Sequence, residues 1–263
     1  MSGWIETPDK HLNPGGSVNW NGLGATARDR IVTSFHDLCI FMRDLWVAND
    51  AILVPPGGGW SSITTELFAK LNKNEKVVDI LKHMTYVRNG GNESRYEILP
   101  LTALVDWRAG WFLKHLEEDD PEYVRVLSED SEIPLPGDVI GISTGGKYCN
   151  VLLLDCRFGI VYWVECPEEK TVFGQAGEEG PEDEEDSNWR DRSAWPVEEF
   201  FEYVKEKFRT MEQLPRNDKR ISSQEDRAER LEELREIYKS HGWPGEDFEK
   251  EECVAAVKML GID

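Results

Sequence analysis

The chain has 263 residues, of which 40% are apolar and ten are tryptophan, so it is long and hydrophobic enough to bury a sizeable core. Its 51 acidic and 30 basic residues give a formal net charge of -21, which repels nucleic-acid phosphates and anionic lipids and favours a protein partner with a basic surface. No window approaches the roughly eighteen consecutive apolar residues of a membrane-spanning helix. The charge and the lack of such a window together mean that neither nucleic acid nor a membrane is expected as a partner.

The cysteine content and the first residues bear on the location of the protein. The chain has five cysteines, an odd number, and no Cys-x-x-Cys pair. Its first segment, MSGWIETPDKHLNPGG, has neither the basic nor the apolar region of a signal peptide. These features predict reduced thiols and a cytoplasmic protein that can also reach the nucleus.

The N-terminal third is predicted to be helical after an irregular tail. Residues 1–24 are rich in Gly and Asn and show no period. Over Ala25–Val47, apolar residues recur every three to four positions, which predicts one long amphipathic helix. The segment Val54–Trp60 (VPPGGGW) interrupts the helices, because proline lacks the backbone donor and consecutive glycines lose too much entropy on ordering. Two shorter helices are predicted next, over Thr64–Leu71 and Lys76–Tyr86.

The centre of the chain changes from helical to strand patterns. A short strand is predicted over Tyr96–Leu99, after which Thr102 is placed to cap a helix over residues 103–120 that packs on a sheet. Beyond this helix, short apolar runs predict three strands, and their hairpin-length connections indicate that they are antiparallel neighbours. The three strands are Asp138–Ser143, Asn150–Cys156 and Ile160–Glu165.

The last third is predicted to begin with a disordered loop and to end in helices. Gly174–Asn188 is a low-complexity acidic run, which is typical of a solvated loop. Helical spacing resumes over Trp195–Leu214. A charged linker is then predicted over residues 215–226, followed by helices over Arg227–Tyr238 and Glu251–Leu260.

The patterns that would indicate a nucleophile, a metal or a phosphate loop are weak. The strand-borne Cys149, Cys156 and Cys166 have no histidine near them in sequence, the nearest being His115. The five histidines lack zinc-ligand spacing, and the acidic run lacks the pattern of a calcium loop. The glycine-rich stretches STGGK and PPGGGW do not match a Walker loop and are interpreted as turns. No catalytic residue, metal or cofactor is therefore predicted.

Carboxylates and aromatic residues are concentrated around the predicted strands. Asp138, Asp155 and Glu165 lie on or beside strands, so two of them could converge on one face as an acid–base pair. Alternation along GIVYWVEC sends Tyr162 and Trp163 to opposite faces, and both faces are expected to be covered. Core packing is the favoured interpretation of these rings, with a binding groove as the alternative.

The stretch LPGDVIGIST...YCNVLLLDCRFGIVYWVEC, the acidic gap and SAWPVEEFFEYVKEKF resemble the SUKH superfamily. That superfamily includes fungal cell-wall-assembly and killer-toxin-resistance regulators of the Smi/Knr type and bacterial toxin-immunity proteins. The resemblance covers roughly residues 93–209. The residues that carry it are Gly137-Asp138 opening a strand, Asp155 ending the next strand, the aromatic pair Tyr162-Trp163, and Phe200-Phe201 in the following helix.

The resemblance implies a single α+β domain with an antiparallel-rich sheet flanked by helices. In this chain the domain would span residues 25–214, with extra N-terminal helices, and residues 215–263 would form a C-terminal helical extension. The resemblance also implies a protein-binding scaffold without shared catalytic residues, and the ending IYKSHGWP...EEC resembles that of fungal proteins of this kind.

We therefore predict a non-enzymatic protein-interaction scaffold or regulator, linked through the resemblance to fungal cell-wall assembly or signalling. Two alternatives stay open: a toxin-neutralising immunity-like protein, and a hydrolase that uses strand-borne carboxylates or a cysteine. The candidate binding residues are Asp138, Asp155, Tyr162, Trp163, Glu165 and Trp195.

Overall fold

The computed structural model describes residues 27–88, 95–108, 110–166, 189–223 and 228–261. In these ranges eight α-helices flank antiparallel sheets of eleven short strands, which confirms the predicted α+β class. None of the helices within those ranges is both long and apolar enough to cross a bilayer. The helices are α1 (Ala27–Leu45), α2 (Thr65–Ala69), α3 (Glu75–His83), α4 (Gly110–Glu117), α5 (Pro121–Glu129), α6 (Val197–Arg209), α7 (Ala228–Ser240) and α8 (Lys250–Met259). The strands are β1 (Ile52–Leu53), β2 (Tyr86–Val87), β3 (Glu97–Leu99), β4 (Thr102–Leu104), β5 (Val139–Gly141), β6 (Ser143–Gly145), β7 (Leu152–Asp155), β8 (Ile160–Trp163), β9 (Ser193–Pro196), β10 (Gln213–Pro215) and β11 (Ile221–Ser223).

A strand segment that changes its partner joins the two larger sheets. β5 pairs with β7, and the sheet continues through β8 to β9, whereas β6 pairs with β4, which pairs in turn with β3. Between β5 and β6, the N–H of Ile142 donates to the carbonyl oxygen of Leu152 over 2.9 Å, and its own carbonyl accepts the N–H of Val105 at 3.0 Å. The backbone of Ile142 is thus bonded on both sides, so the two sheets are continuous.

Both faces of β8 are buried, as the alternation along the strand predicts. Val161 and Trp163 belong to the main hydrophobic core. Tyr162 lies on the opposite face, in a smaller cluster that includes Val139 and Leu153. The prediction that the three central strands are antiparallel neighbours is confirmed in β5, β7 and β8.

The long N-terminal helix α1 packs against α6 in the main core and confirms the predicted amphipathic helix. Its buried residues recur every three to four positions, which places them on one face. Phe35 meets Phe201 of α6 edge to face, with 4.7 Å between ring centroids. At the margin of this contact, Arg30 forms an ion pair with Glu198, which ties the two helices together.

The prediction of one helix over residues 103–120 is wrong. Residues 102–104 form strand β4, the helix α4 begins only at Gly110, and α5 follows as a separate helix. The hydroxyl of Thr102 does not cap a helix but accepts the N–H of Asn150 at 2.7 Å. Local spacing favours a helix here, but pairing of β4 with a strand on each side overrides that preference.

Strands also replace parts of the predicted C-terminal helices and linker. Residues 193–196 pair with β8 as β9, so α6 begins at Val197 and not at Trp195. Within the predicted charged linker over 215–226, β11 pairs with β10 in a hairpin. Strands this short carry little sequence signal of their own, because their stability comes from the ladder they join.

One of the predicted domain limits can be compared with the structure. The boundary at residue 214 falls inside β10, and both α7 and α8 contribute buried residues to the main core. The division into a domain over 25–214 and an extension over 215–263 stays a prediction. The predicted irregular tail over 1–24 and acidic loop over 174–188 lie outside the described residues.

A fully buried ion pair links the loop before α3, the end of α5 and strand β5. The ammonium group of Lys73 lies 2.9 Å from Oε1 of Glu129, and both side chains are completely shielded from solvent. The same Oε1 accepts the N–H of Gly141 at 3.4 Å. Burial lowers the pKa of Lys73 and raises the pKa of Glu129, and each partner's charge opposes the effect on the other.

Gly141 is the position at which α5 and β5 approach most closely. A Cβ atom on Gly141 would lie 1.8 Å from the carbonyl oxygen of Ser128, a backbone atom that cannot move aside. The sheet residue facing the end of α5 must therefore be glycine.

We expect Gly141→Ala to reduce the free energy of unfolding by more than about 4 kcal/mol, because helix and strand must separate to accept the methyl group. Gly146→Ala is the matched control, since a Cβ there meets nothing within 4 Å, and it should change stability by less than about 1 kcal/mol. Urea unfolding of both variants measures the difference. Equal stability of the two would show that the close approach is wrong.

Replacing one partner of the buried ion pair should cost more than replacing both. Lys73→Met leaves the Glu129 carboxylate buried without its cation, which costs about 3–5 kcal/mol. The double variant Lys73→Met/Glu129→Gln removes both charges and keeps an amide oxygen for Gly141, so it should recover at least about 1 kcal/mol. Chemical denaturation of the wild type, both single variants and the double variant measures these free energies of unfolding. If the loss in the double variant equals the sum of the losses in the single variants, the two residues are not coupled.

Candidate functional site

The structure places two of the predicted binding residues, Asp155 and Tyr162, on one face of the four-stranded sheet, and it places Asp138 close to Asp155. Asp155, at the end of β7, and Tyr162, on β8, both point to the face of the smaller hydrophobic cluster. Asp138 immediately precedes β5, and its carbonyl oxygen accepts the N–H of Cys156 at 2.8 Å. The carboxylate of Asp138 in turn accepts a hydrogen bond from the side-chain amide of Asn74 at 2.5 Å.

The other three predicted residues lie elsewhere. Trp163 and Trp195 are 4% exposed and belong to the main core on the opposite face of the sheet. The indole N–H of Trp163 donates to the side chain of Asn150 at 3.0 Å, and the Trp195 ring lies 4.8 Å from that of Tyr203. Glu165 is exposed after the end of β8. The six residues therefore do not form one surface, and the two tryptophans are packing residues.

Asp155 is the most perturbed of the predicted carboxylates. It is 4% exposed, and burial raises its pKa from 3.8 to about 6, with the negative charge of Asp138 adding to the effect. Its oxygen accepts the N–H of Arg157 at 2.9 Å, which stabilises the turn between β7 and β8. Asp155 thus has a structural role that accounts for its position.

Four of the five cysteines lack the environment of a nucleophile. All five are free thiols in the described part of the chain. Burial raises the pKa of Cys39 and of Cys253 to about 12, and it also raises the pKa of Cys149 and of Cys156. A nucleophilic cysteine needs the opposite shift, because the thiolate is the reactive form. The three buried side chains, Cys39, Cys156 and Cys253, act as apolar fillers.

A polar pocket at the other end of the joined sheet was not predicted from the sequence. Its floor is a row of directly paired residues: Glu97 on β3 faces Ala103 on β4, and Ala103 faces Thr144 on β6. Paired residues project from the same face of a sheet, so the small side chain of Ala103 leaves a space between its two neighbours. The pocket has a volume of about 50 Å³ and is also lined by Arg95 and Arg220.

Arg220 is fixed at the pocket by the loop between β10 and β11. The side-chain oxygen of Asn217 accepts the backbone N–H groups of Lys219 and Arg220 at 2.9 and 2.8 Å, which closes the loop. The loop is attached to β3, because the N–H of Glu97 donates to the carbonyl of Lys219 at 2.9 Å. The Glu97 carboxylate then accepts one N–H of the Arg220 guanidinium at 2.9 Å and the backbone N–H of Ile221 at 2.9 Å.

Arg95 brings a second guanidinium group to the same pocket. It precedes Glu97 by two residues and is half-buried. Burial lowers the pKa of Arg95, Cys149 opposes this shift, and the like charge of Arg220 adds to it. The two cations are therefore close enough to repel each other across the pocket.

The β6 side of the pocket is made by Thr144 and two glycines. Thr144 is 1% exposed, and its hydroxyl oxygen is buried without a hydrogen-bond partner among the described residues. A Cβ on Gly145 would lie 2.3 Å from the carbonyl oxygen of Leu101, so only glycine fits there. Gly146 has open space beside it and also lines the pocket.

Sequence reasoning dismissed STGGK as a turn and gave no weight to RNDKR, residues 216–220, where three basic residues occur together in an acidic chain. That concentration of positive charge was the available signal. STGGK pairs with β4 through β6, and the RNDKR loop is hydrogen-bonded to Glu97 on β3. Neither contact was visible in the sequence, because both depend on the folded sheet. In the part of the chain that the structure describes, no three His, Cys, Asp or Glu side chains are grouped as metal ligands would be.

Comparisons of the chain with protein-family models, with characterised proteins and with solved structures give no significant match.

The raised pKa of Asp155 predicts a pH-dependent cost. A carboxyl group that binds its proton more tightly when folded contributes stability at low pH, and this contribution is lost as the pH rises from about 4 to about 6. Above that range the buried charge costs about 3 kcal/mol. Asp155→Asn keeps an acceptor for the Arg157 N–H, so it should be more stable than the wild type at pH 8 and no more stable at pH 4. Thermal unfolding at both pH values tests this, and a less stable variant at pH 8 would contradict it.

Proposed function

We propose that the protein is a non-enzymatic protein-interaction scaffold or regulator of the SUKH type that binds a partner with a basic surface. The sequence resemblance supports this proposal, and the same resemblance suggests a link to fungal cell-wall assembly or signalling. The location that goes with this role is the cytoplasm, with access to the nucleus.

The observation that carries the proposal is an acidic surface at the junction of α4 and α5. We call it the acidic corner, and it consists of Glu117, Glu118, Asp119, Asp120 and Glu122, all exposed. Lys114 pairs with Glu118 and Lys70 pairs with Asp119, so the acids remain in excess over the cations beside them. An excess of one sign of charge steers a partner of opposite charge and raises its association rate. The net charge of -21 adds to this field at longer range.

An aromatic group within the acidic corner supplies contact area as well as charge. Trp111, His115 and Tyr123 pack together, with ring centroids 4.5 to 5.7 Å apart. Tyr123 is 44% exposed, and Val126, one turn further along α5, is 39% exposed. Partly exposed aromatic residues inside a charged rim are typical of the centre of a protein interface.

Two other functions make different use of the same features. A toxin-neutralising immunity-like protein would direct the acidic corner to a basic nuclease, so the identity of the captured partner separates it from a cellular regulator. A hydrolase would use Asp155, whose pKa of about 6 suits a general acid. The Asp155 carboxyl is 4% exposed and holds a turn, so the scaffold is the better-supported function.

Affinity capture with charge-reversed variants tests the proposal. In Glu117→Lys/Glu122→Lys, two exposed acids of the acidic corner change sign; neither belongs to an ion pair within the described residues. The matched control, Glu233→Lys/Glu246→Lys, makes the same change in charge on exposed residues of α7 and the loop before α8. We expect a specific protein to be retained by the wild type and the control and lost from the acidic-corner variant.

Salt and a deletion complete this experiment. Raising the ionic strength should weaken capture, because exposed charges are screened over about 8–10 Å at physiological salt. A chain that lacks residues 177–187 shows whether the acidic run contributes. If both charge-reversed variants captured the same proteins, the acidic corner would not be part of the interface. If no specific partner were captured at all, the scaffold function would be contradicted.

A further inference from the structure

We propose that the pocket between Arg95 and Arg220 is a binding site for a phosphoryl group, carried by a small phosphate ester or by inorganic phosphate. This inference does not depend on the acidic corner or on the nature of a protein partner. It rests on the donors that line the pocket, on its size and on the local charge.

The donors converge from three separate segments. Arg95 lies just before β3, Arg220 lies in the β10–β11 loop, and Thr144 lies on β6. The first two supply guanidinium groups and the third supplies a hydroxyl. Guanidinium groups present several N–H donors in a planar fork that matches phosphate oxygens, and a threonine hydroxyl adds a donor from the sheet floor. Donors from different directions suit a tetrahedral anion better than a planar carboxylate.

The buried hydroxyl of Thr144 is the observation that points to a ligand. A buried polar group without a hydrogen bond costs stability, and native proteins have few such groups. The Thr144 hydroxyl has no partner among the described residues, yet the residue lines a polar pocket. A phosphate oxygen in that pocket would accept a hydrogen bond from this hydroxyl.

The acid that shares the pocket is already committed. One oxygen of Glu97 accepts the N–H of Arg220, and the other accepts the N–H of Ile221. Glu97 therefore holds the Arg220 guanidinium in place before any ligand arrives, while the Arg220 side chain is 44% exposed. A cation that is fixed in advance loses less conformational freedom on binding.

The local charge is positive although the whole chain is acidic. The pocket is lined by two cations, Arg95 and Arg220, and by one acid, Glu97, and the loop between β10 and β11 adds Arg216 and Lys219 against Asp218. At physiological salt a charge is screened within about 8 Å, so the nearest groups decide the field in the pocket. An anion between the two arginines would also relieve their mutual repulsion.

The size of the pocket limits what can enter. A volume of about 50 Å³ holds roughly three to five water-sized spheres, far less than the about 300–1,000 Å³ of a pocket for a whole drug-sized ligand. A single phosphoryl group is therefore the part that is bound. The rest of a bound ester would extend out of the pocket through the open space beside Gly146.

Titration calorimetry of the full-length protein in a phosphate-free buffer tests the site. The probes are inorganic phosphate, phosphoserine and acetate at equal ionic strength. We expect a dissociation constant of about 1 mM or tighter for phosphate or phosphoserine, and binding of acetate at least about tenfold weaker. Tighter binding of phosphoserine identifies an ester as the ligand, and tighter binding of phosphate identifies the free ion.

Two variants locate binding without disturbing the fold. Gly146→Glu adds a carboxylate to the pocket lining, at a position where a Cβ meets nothing within 4 Å, and should weaken phosphate binding at least about tenfold. Gly58→Glu is its control, because Gly58 has equal space and lies in a loop that does not line the pocket. Thr144→Val should weaken binding about fivefold, while its unfolding midpoint without phosphate stays equal to or above that of the wild type.

The opposite results would overturn the assignment. One is that neither phosphate nor phosphoserine binds at a ligand concentration 10-fold above the expected dissociation constant of about 1 mM. Another is that acetate binds as tightly as phosphate. A third is that Gly146→Glu and Gly58→Glu have equal affinity for phosphate. Unchanged phosphate affinity in Thr144→Val would show that the Thr144 hydroxyl does not bind phosphate, and this result would also overturn the proposed site.

Discussion

The ion pair between Lys73 and Glu129 is the interaction on which the arrangement of the layers depends. A buried charge without its partner costs several kcal/mol, so the loop before α3 and the end of α5 have to be in place together. Because the carboxylate also accepts the N–H of Gly141, strand β5 is included in the same constraint. The missing side chain at Gly141 allows the backbone of α5 to come close enough for this contact.

The fold could be predicted from the sequence where an element has its own pattern. The period along α1 and the alternation along β8 are local properties, and each was sufficient to place the element and its buried face. Strands β4 and β11 have three residues each, and they exist because distant residues complete their ladders. No window of sequence contains that information, which is why a helix was predicted over residues 103–120, after Thr102, and a linker over residues 215–226.

The candidate sites divide in the same way. Tyr162 and Trp163 were conspicuous because they are aromatic and adjacent, but burial on both faces of the sheet makes them packing residues. The residues of the polar pocket are inconspicuous one by one, and Arg95, Thr144 and Arg220 lie far apart in the chain. What unites them is the register of β3, β4 and β6 together with the hydrogen bonds that attach the β10–β11 loop to Glu97. Spacing along the sequence reveals neither of these properties of the folded sheet.

The double hydrogen bonding at Ile142 has a consequence for how the protein loses its structure. A segment that belongs to both sheets at once cannot be released from one without breaking the ladder of the other. The half that carries the polar pocket and the half that carries Asp155 and Tyr162 should therefore melt in a single cooperative transition, with the amide proton of Ile142 exchanging among the slowest. The two ends of the sheet, which differ in charge and in surface chemistry, are in this sense one thermodynamic unit.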